Sequence, residues 1–274
     1  MGEKSILKEK LIKIKANNYL LENKDHYFKV ALQMTDNLGS LDSEFRDDLI
    51  YTTFYHFIIE DRFTVEQLKC LLNICLDKTH LFYKLQDEDE DAIFTRTFSV
   101  LIVALILYKH REIGILSEKE LYEVKDKLMQ YMLTERDVRG YVDIKGWAHS
   151  AAHTADALDE LIQCSCFNTE DLMDVLNSIK AKVCIDYYVY VDEEDERMVT
   201  AVESAINRKM LSNSQIIHWL QGFKIEKPND KKKREYWRLR VNMKTFLRSL
   251  YFRILEKEDL DYAVNEVKML LNEL

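Results

Sequence analysis

Thr64-Val65-Glu66-Gln67-Leu68, Ser117-Glu118-Lys119-Glu120-Leu121 and Ser212-Asn213-Ser214-Gln215-Ile216 repeat one pattern: a hydroxyl residue, Glu or Gln three positions later, then a large aliphatic. The hydroxyl oxygen can accept from the third backbone amide while Glu or Gln reaches back to the hydroxyl residue's own N–H. Each stretch therefore reads as a capping box that opens a helix. Phe63, Leu116 and Leu211 precede them at the hydrophobic-staple position. Asn168-Thr169-Glu170-Asp171-Leu172, after Phe167, is a weaker copy, and Leu260 opens a similar closing segment. The aligned aliphatics Leu68, Leu121, Leu172, Ile216 and Leu260 follow one another at 53, 51, 44 and 44 residues. Stacked helix pairs of the HEAT or armadillo kind recur every ~40–47 residues. The spacing predicts an all-α fold, an α-solenoid in which each pair buries its apolar side on its neighbours. The alternative is a compact, non-repeating helical domain.

Composition agrees with helices. One proline and six glycines in 274 residues leave little for the tight turns of sandwiches, barrels or doubly wound sheets. A net charge of −9 opposes a nucleic-acid or anionic-membrane footprint over the whole chain. The five cysteines are an odd number, and Cys164-x-Cys166 has no second pair, so ordinary thiols in a reducing cytoplasm are expected. The amphipathic N-terminus, with Ile6, Leu7, Leu11 and Ile14 among lysines, has no signal-peptide core. The apolar run Phe98–Tyr108 suits an internal helix and is too short to span a bilayer. Acidic runs at Asp87–Asp91 and Asp192–Glu196 read as exposed turns or helix starts, and Lys224–Lys233, around Pro228, as linker-like. One cytoplasmic domain, 1–274, without a membrane partner is the expectation.

The chemistry-bearing stretch is Gly146-Trp147-Ala148-His149-Ser150-Ala151-Ala152-His153-Thr154-Ala155-Asp156-Ala157-Leu158-Asp159-Glu160. On a helix His149, His153, Asp156 and Glu160 share one face. Ala148, Ala151, Ala152 and Ala155 let a neighbour approach closely. Two histidines four apart could hold a divalent metal, with Asp156 as third ligand and Asp143 or His110 from further away. Ser150 stands where a metalloprotease helix carries Glu, and it faces away from the imidazoles, which disfavours covalent hydrolysis. A His–Asp156 pair could also act as a base. If Gly146-Trp147 is the helix entry, its amides with Lys145, Arg136 and Arg139 favour a small anion, and Trp147 offers a stacking surface. A hydrogen-bonded core staple would use the same residues.

Lys231–Arg253 is basic with a single acid, Glu235, and interleaves Tyr236, Trp237, Phe246, Tyr251 and Phe252. It is the one candidate nucleic-acid element. Aromatics turned to the core and cations offsetting neighbouring acids is the favoured reading there.

Arg139–Leu161 resembles the hallmark of a bacterial family catalogued as domain of unknown function 2785. Lys145-Gly146-Trp147-Ala148-His149, then Ala152-His153, then Ala155-Asp156 carry the resemblance. It implies a helical fold and marks these positions as a hallmark; it supplies no substrate, reaction or cofactor. The resulting expectation is a binding module. Lys145, Trp147, His149, His153 and Asp156 would line a polar pocket for a small anionic ligand or a protein partner's side chain. A metal-assisted hydrolase using His149, His153 and Asp156 is the alternative.

Overall fold

The computed structural model describes residues 2–226 and 233–274. Pro228, Lys231 and Lys232 lie outside the described residues. Among the described residues there are twelve α-helices and one two-stranded sheet. The helical expectation holds, and its clearest signals are confirmed atom by atom. Capping boxes with both reciprocal bonds open α4 (Val65–Cys75), α6 (Glu118–Thr134), α8 (Thr169–Val183) and α10 (Asn213–Gln221). They fall on every second helix. Each box satisfies backbone N–H groups that a helix start leaves orphaned, an effect of about 1 kcal/mol.

By internal packing the chain divides into two units, Met1–Ala157 and Leu158–Leu274, the division falling within α7 (Ser150–Ile162). The first unit contains α1 (Glu3–Ala16), α2 (Asp25–Thr35), α3 (Thr52–Ile59), α4, α5 (Ala92–Ile113) and α6. A π-helical segment, Glu44–Tyr51, runs directly into α3. The short strands β1 (Tyr141–Val142) and β2 (Gly146–Trp147) then lead to the first turns of α7. α5 is the core helix, packed against α3 and α4. By length and composition it could cross a membrane, yet 89% of its most apolar window is buried inside the protein. Its polar exceptions Arg96, Thr97 and Ser99 are buried as well.

The second unit holds the rest of α7, α8, α9 (Glu194–Asn207), α10, α11 (Lys233–Ile254) and α12 (Asp261–Glu273). α11 packs on α9 and α12, and α10 on α12. Trp219 is fully enclosed, its indole N–H donating to the Leu176 carbonyl at 2.9 Å. Asn242 ties α11 to the loop after α8. Its amide nitrogen donates to the carbonyls of Ile185 and Tyr188, and its oxygen accepts from the Tyr190 N–H. A buried amide with three partners fixes register more firmly than an apolar contact, because losing any partner leaves a desolvated group.

Candidate functional site

The segment from Tyr141 to Ile162 is a hairpin followed by a helix. Tyr141 pairs with Trp147 and Val142 with Gly146, so Asp143, Ile144 and Lys145 form a three-residue loop. Such loops close on a left-handed residue, ordinarily glycine or asparagine. Here Ile144 (φ 70°) and Gly146 (φ 81°) are both left-handed. A β-branched residue there is strained. Ile144 is nevertheless 91% exposed, so its side chain gains almost nothing from packing. Gly146 is required twice over: a Cβ there would lie 2.8 Å from Asp47 Oδ2 and 2.9 Å from an Arg46 nitrogen.

Those two residues anchor the hairpin from beneath. Arg46, on the π-helical segment, is wholly buried. Its guanidinium lies between the Phe94 and Phe98 rings of α5, 4.3 and 4.5 Å from their centroids. It donates to the Ser40 carbonyl at 2.6 Å and to the Lys145 carbonyl at 2.7 Å. Nε lies 2.8 Å from Asp47 Oδ1 but outside hydrogen-bonding alignment, so the contact is an ion pair and not a directed bond. Burial pushes the Asp47 carboxyl up to about 6, outweighing the opposing pull of Arg46 and of the Trp147 backbone N–H that it accepts. A π-helical insertion rotates the following side chains relative to a regular helix, and such segments concentrate at functional sites.

The helix begins at Ser150, later than the sequence implied. Gly146-Trp147 is a strand and not the helix entry, so Lys145 does not flank a helix N-terminus. His149, left-handed at φ 47°, precedes the helix; Ala148 and His149 donate their N–H groups to the carbonyls of Gly140 and Arg139. This turn takes His149 out of the helical register assumed for His149, His153 and Asp156. Its ring stacks on Trp147 at 4.8 Å and meets the His153 ring edge-on at 5.5 Å. His153 lies 2.8 Å, Nδ1 to Oγ1, from Thr97, and its ring meets Phe98 edge-on. Both imidazoles are 9% exposed, while Trp147 is 39% exposed. Asp156 is half-buried further along α7. Among the described residues no three His, Cys, Asp or Glu side chains are grouped as a metal would need, so Asp156 does not complete a ligand set with the two histidines.

Lys145 and Arg139 are matched by carboxylates. Lys145 Nζ lies 2.6 Å from Asp91, and Arg139 pairs with Asp137 at 2.6 Å while donating to the Glu90 carbonyl. A cavity of about 730 Å³ borders Arg139, lined by Asp87 to Glu90, Glu135 and Asp137 among others, and neither histidine reaches it. Within it Arg96 and Glu135, both buried, form a bidentate pair at 2.6 and 3.1 Å. The acidic run 87–90 is exposed, as expected.

Sequence reasoning missed Arg46, Asp47, Thr97 and Phe98. One signal was present: Arg46 stands four and eight residues before Ile50 and Phe54, on the stripe that faces the core. A lone cation on an apolar stripe demands buried acceptors.

No curated protein and no solved structure matches the chain significantly. The family described as protein of unknown function, DUF2785, matches residues 81–252, more than half of the chain and including the hairpin and α7. The chain belongs to that family.

Proposed function

We propose that the chain is a binding module whose recognition element is the hairpin 141–147, and that it takes a protein partner's side chain rather than a small anion. One observation carries the reading. Ile144 holds a strained backbone while exposing a large apolar side chain, a combination from which folding gains nothing. Backbone strain of this kind persists where the surroundings over-determine it, and the buried Arg46 clamp on the Lys145 carbonyl supplies that constraint. Tyr141, 53% exposed, and Trp147 flank the tip with ring centroids 5.1 Å apart. Trp and Tyr are the side chains most often responsible for binding energy at interfaces. His149 and His153 act as the rigid backing of Trp147. Since Lys145 and Arg139 already have carboxylate partners, an anion would have to displace Asp91 or Asp137. The alternation of capped helices supports a HEAT-like stack as the frame that presents the hairpin, which small-angle scattering of the intact chain would test.

A photo-crosslinking side chain in place of Ile144 tests the binding reading in cells. The expected result is a discrete protein adduct that Trp147→Ala abolishes. An adduct insensitive to Trp147→Ala, or one equally formed from the exposed position 119, refutes it.

A further inference from the structure

The aromatic and basic residues of α11 follow the favoured reading of the sequence only in part. Met243, Phe246, Leu247, Leu250 and Ile254 form the buried face that packs on α8, α9 and α12. Arg253 is neutralised as expected, by Glu196 and Glu203. The opposite face is different. Trp237 is 46% and Phe252 71% exposed, and between them run Arg240, Lys244 and Arg248. At ~100° per residue these five side chains span an arc of about 120° on the side away from Phe246, with Arg248 exposed and Arg240 and Lys244 half-buried. Among the described residues no carboxylate pairs with any of the three cations. The Arg240 guanidinium instead lies 4.9 Å from the centre of the Trp237 ring. The Lys244 ammonium is held below its ordinary value by partial desolvation and by repulsion from Arg240 and Arg248. In a chain of net charge −9, three mutually repelling cations in a row, without a carboxylate partner among the described residues, favour an external anion.

We propose that this stripe of α11 binds single-stranded nucleic acid, with Arg240, Lys244 and Arg248 on successive phosphates and Trp237 and Phe252 as stacking surfaces for bases. The cations recur every four residues, about 6 Å along the helix, a spacing that a flexible polyanion backbone can follow. Exposed rings among cations are the feature that separates single strands from duplexes, whose bases are already stacked. A membrane-surface helix would place a broad apolar face in the bilayer with cations at its edges. Here Lys244 and Arg248 occupy the middle of the stripe. All five residues belong to α11 and none to the hairpin.

Fluorescence anisotropy of the full-length protein with a labelled oligo-dT or oligo-U of about 15 nucleotides tests it, starting near ~20 mM salt. Three phosphate contacts predict a log K against log salt slope of about −2, shallower by about 0.7 for each of Arg240→Gln, Lys244→Gln and Arg248→Gln. Trp237→Ala and Phe252→Ala should each weaken binding at least about five-fold with the slope unchanged. Trp237, Arg248 and Phe252 are exposed and Arg240 and Lys244 half-buried, so circular dichroism should match the parent chain and urea midpoints should move little. Trp147→Ala should leave oligonucleotide binding intact, which separates this site from the hairpin. Three results overturn the proposal: no binding at low salt, equal affinity for a duplex of the same length, or binding indifferent to both rings. Retention on phosphatidylserine vesicles without oligonucleotide binding would likewise refute it in favour of a membrane surface.

Discussion

Replacing Arg46 by Met retains most of its volume between Phe94 and Phe98 but removes every polar contact of the guanidinium. The carbonyls of Ser40 and Lys145 then lose their donors, and each desolvated acceptor costs about 1–3 kcal/mol. Asp47, 22% exposed, loses its counter-charge; breaking one side of a buried ion pair costs about 3–5 kcal/mol, a figure that overlaps with the lost bonds. The expected loss is therefore ~3–5 kcal/mol for the first unit. The damage should concentrate at the hairpin, because the clamp acts on the Lys145 carbonyl and through Asp47 on the Trp147 N–H. Hydrogen exchange of the Trp147 amide reads this locally, and urea unfolding reads it globally. Adding Asp47→Asn should recover part of the loss, since it removes the uncompensated carboxylate. A change below about 1 kcal/mol, with Trp147 exchange unaltered, would refute the clamp.

Other consequences are open to direct measurement. Ile144→Asn should raise stability by about 1 kcal/mol, because asparagine tolerates the left-handed backbone and the lost side chain was scarcely buried; an unchanged or lower urea midpoint would contradict the strain. Asp47 has a folded-state value of about 6 against 3.8 for an ordinary Asp, so between those values the folded chain binds the extra proton. Its stabilising effect is complete below the ordinary value and is lost as pH rises through about 6, after which the buried carboxylate costs about 3 kcal/mol. The stability difference between Asp47→Asn and the parent should thus shift in favour of the variant from pH ~4 to pH ~7, and a flat difference would reject the raised value. Thr97→Val leaves His153 Nδ1 without its hydroxyl partner and should cost about 1–2 kcal/mol, seen as a lower melting temperature and a moved His153 ring resonance.

The helix starts were legible because a capping box is local: four or five residues carry both the donor and the acceptor, and no distant contact is needed. The buried run of α5 was legible for the same reason, from apolar continuity alone. The stretch Gly146–Glu160 stood out by residue type, yet its geometry was misread. The sequence put His149 inside a helix, whereas a left-handed turn at His149 and the pairing of Tyr141 with Trp147 delay the helix to Ser150. That turn is set by hydrogen bonds to the carbonyls of Arg139 and Gly140 and by Arg46, 99 residues from the Lys145 carbonyl it holds. No local pattern encodes a contact of that separation. The charge on α11 shows the converse. Its cations and aromatics were visible in order, but whether they faced acids, core or solvent depended on which side α9 and α12 cover. Local chemistry fixed where helices begin and which residues could act. Only packing decided which of them were clamped, which were neutralised and which were left facing outward.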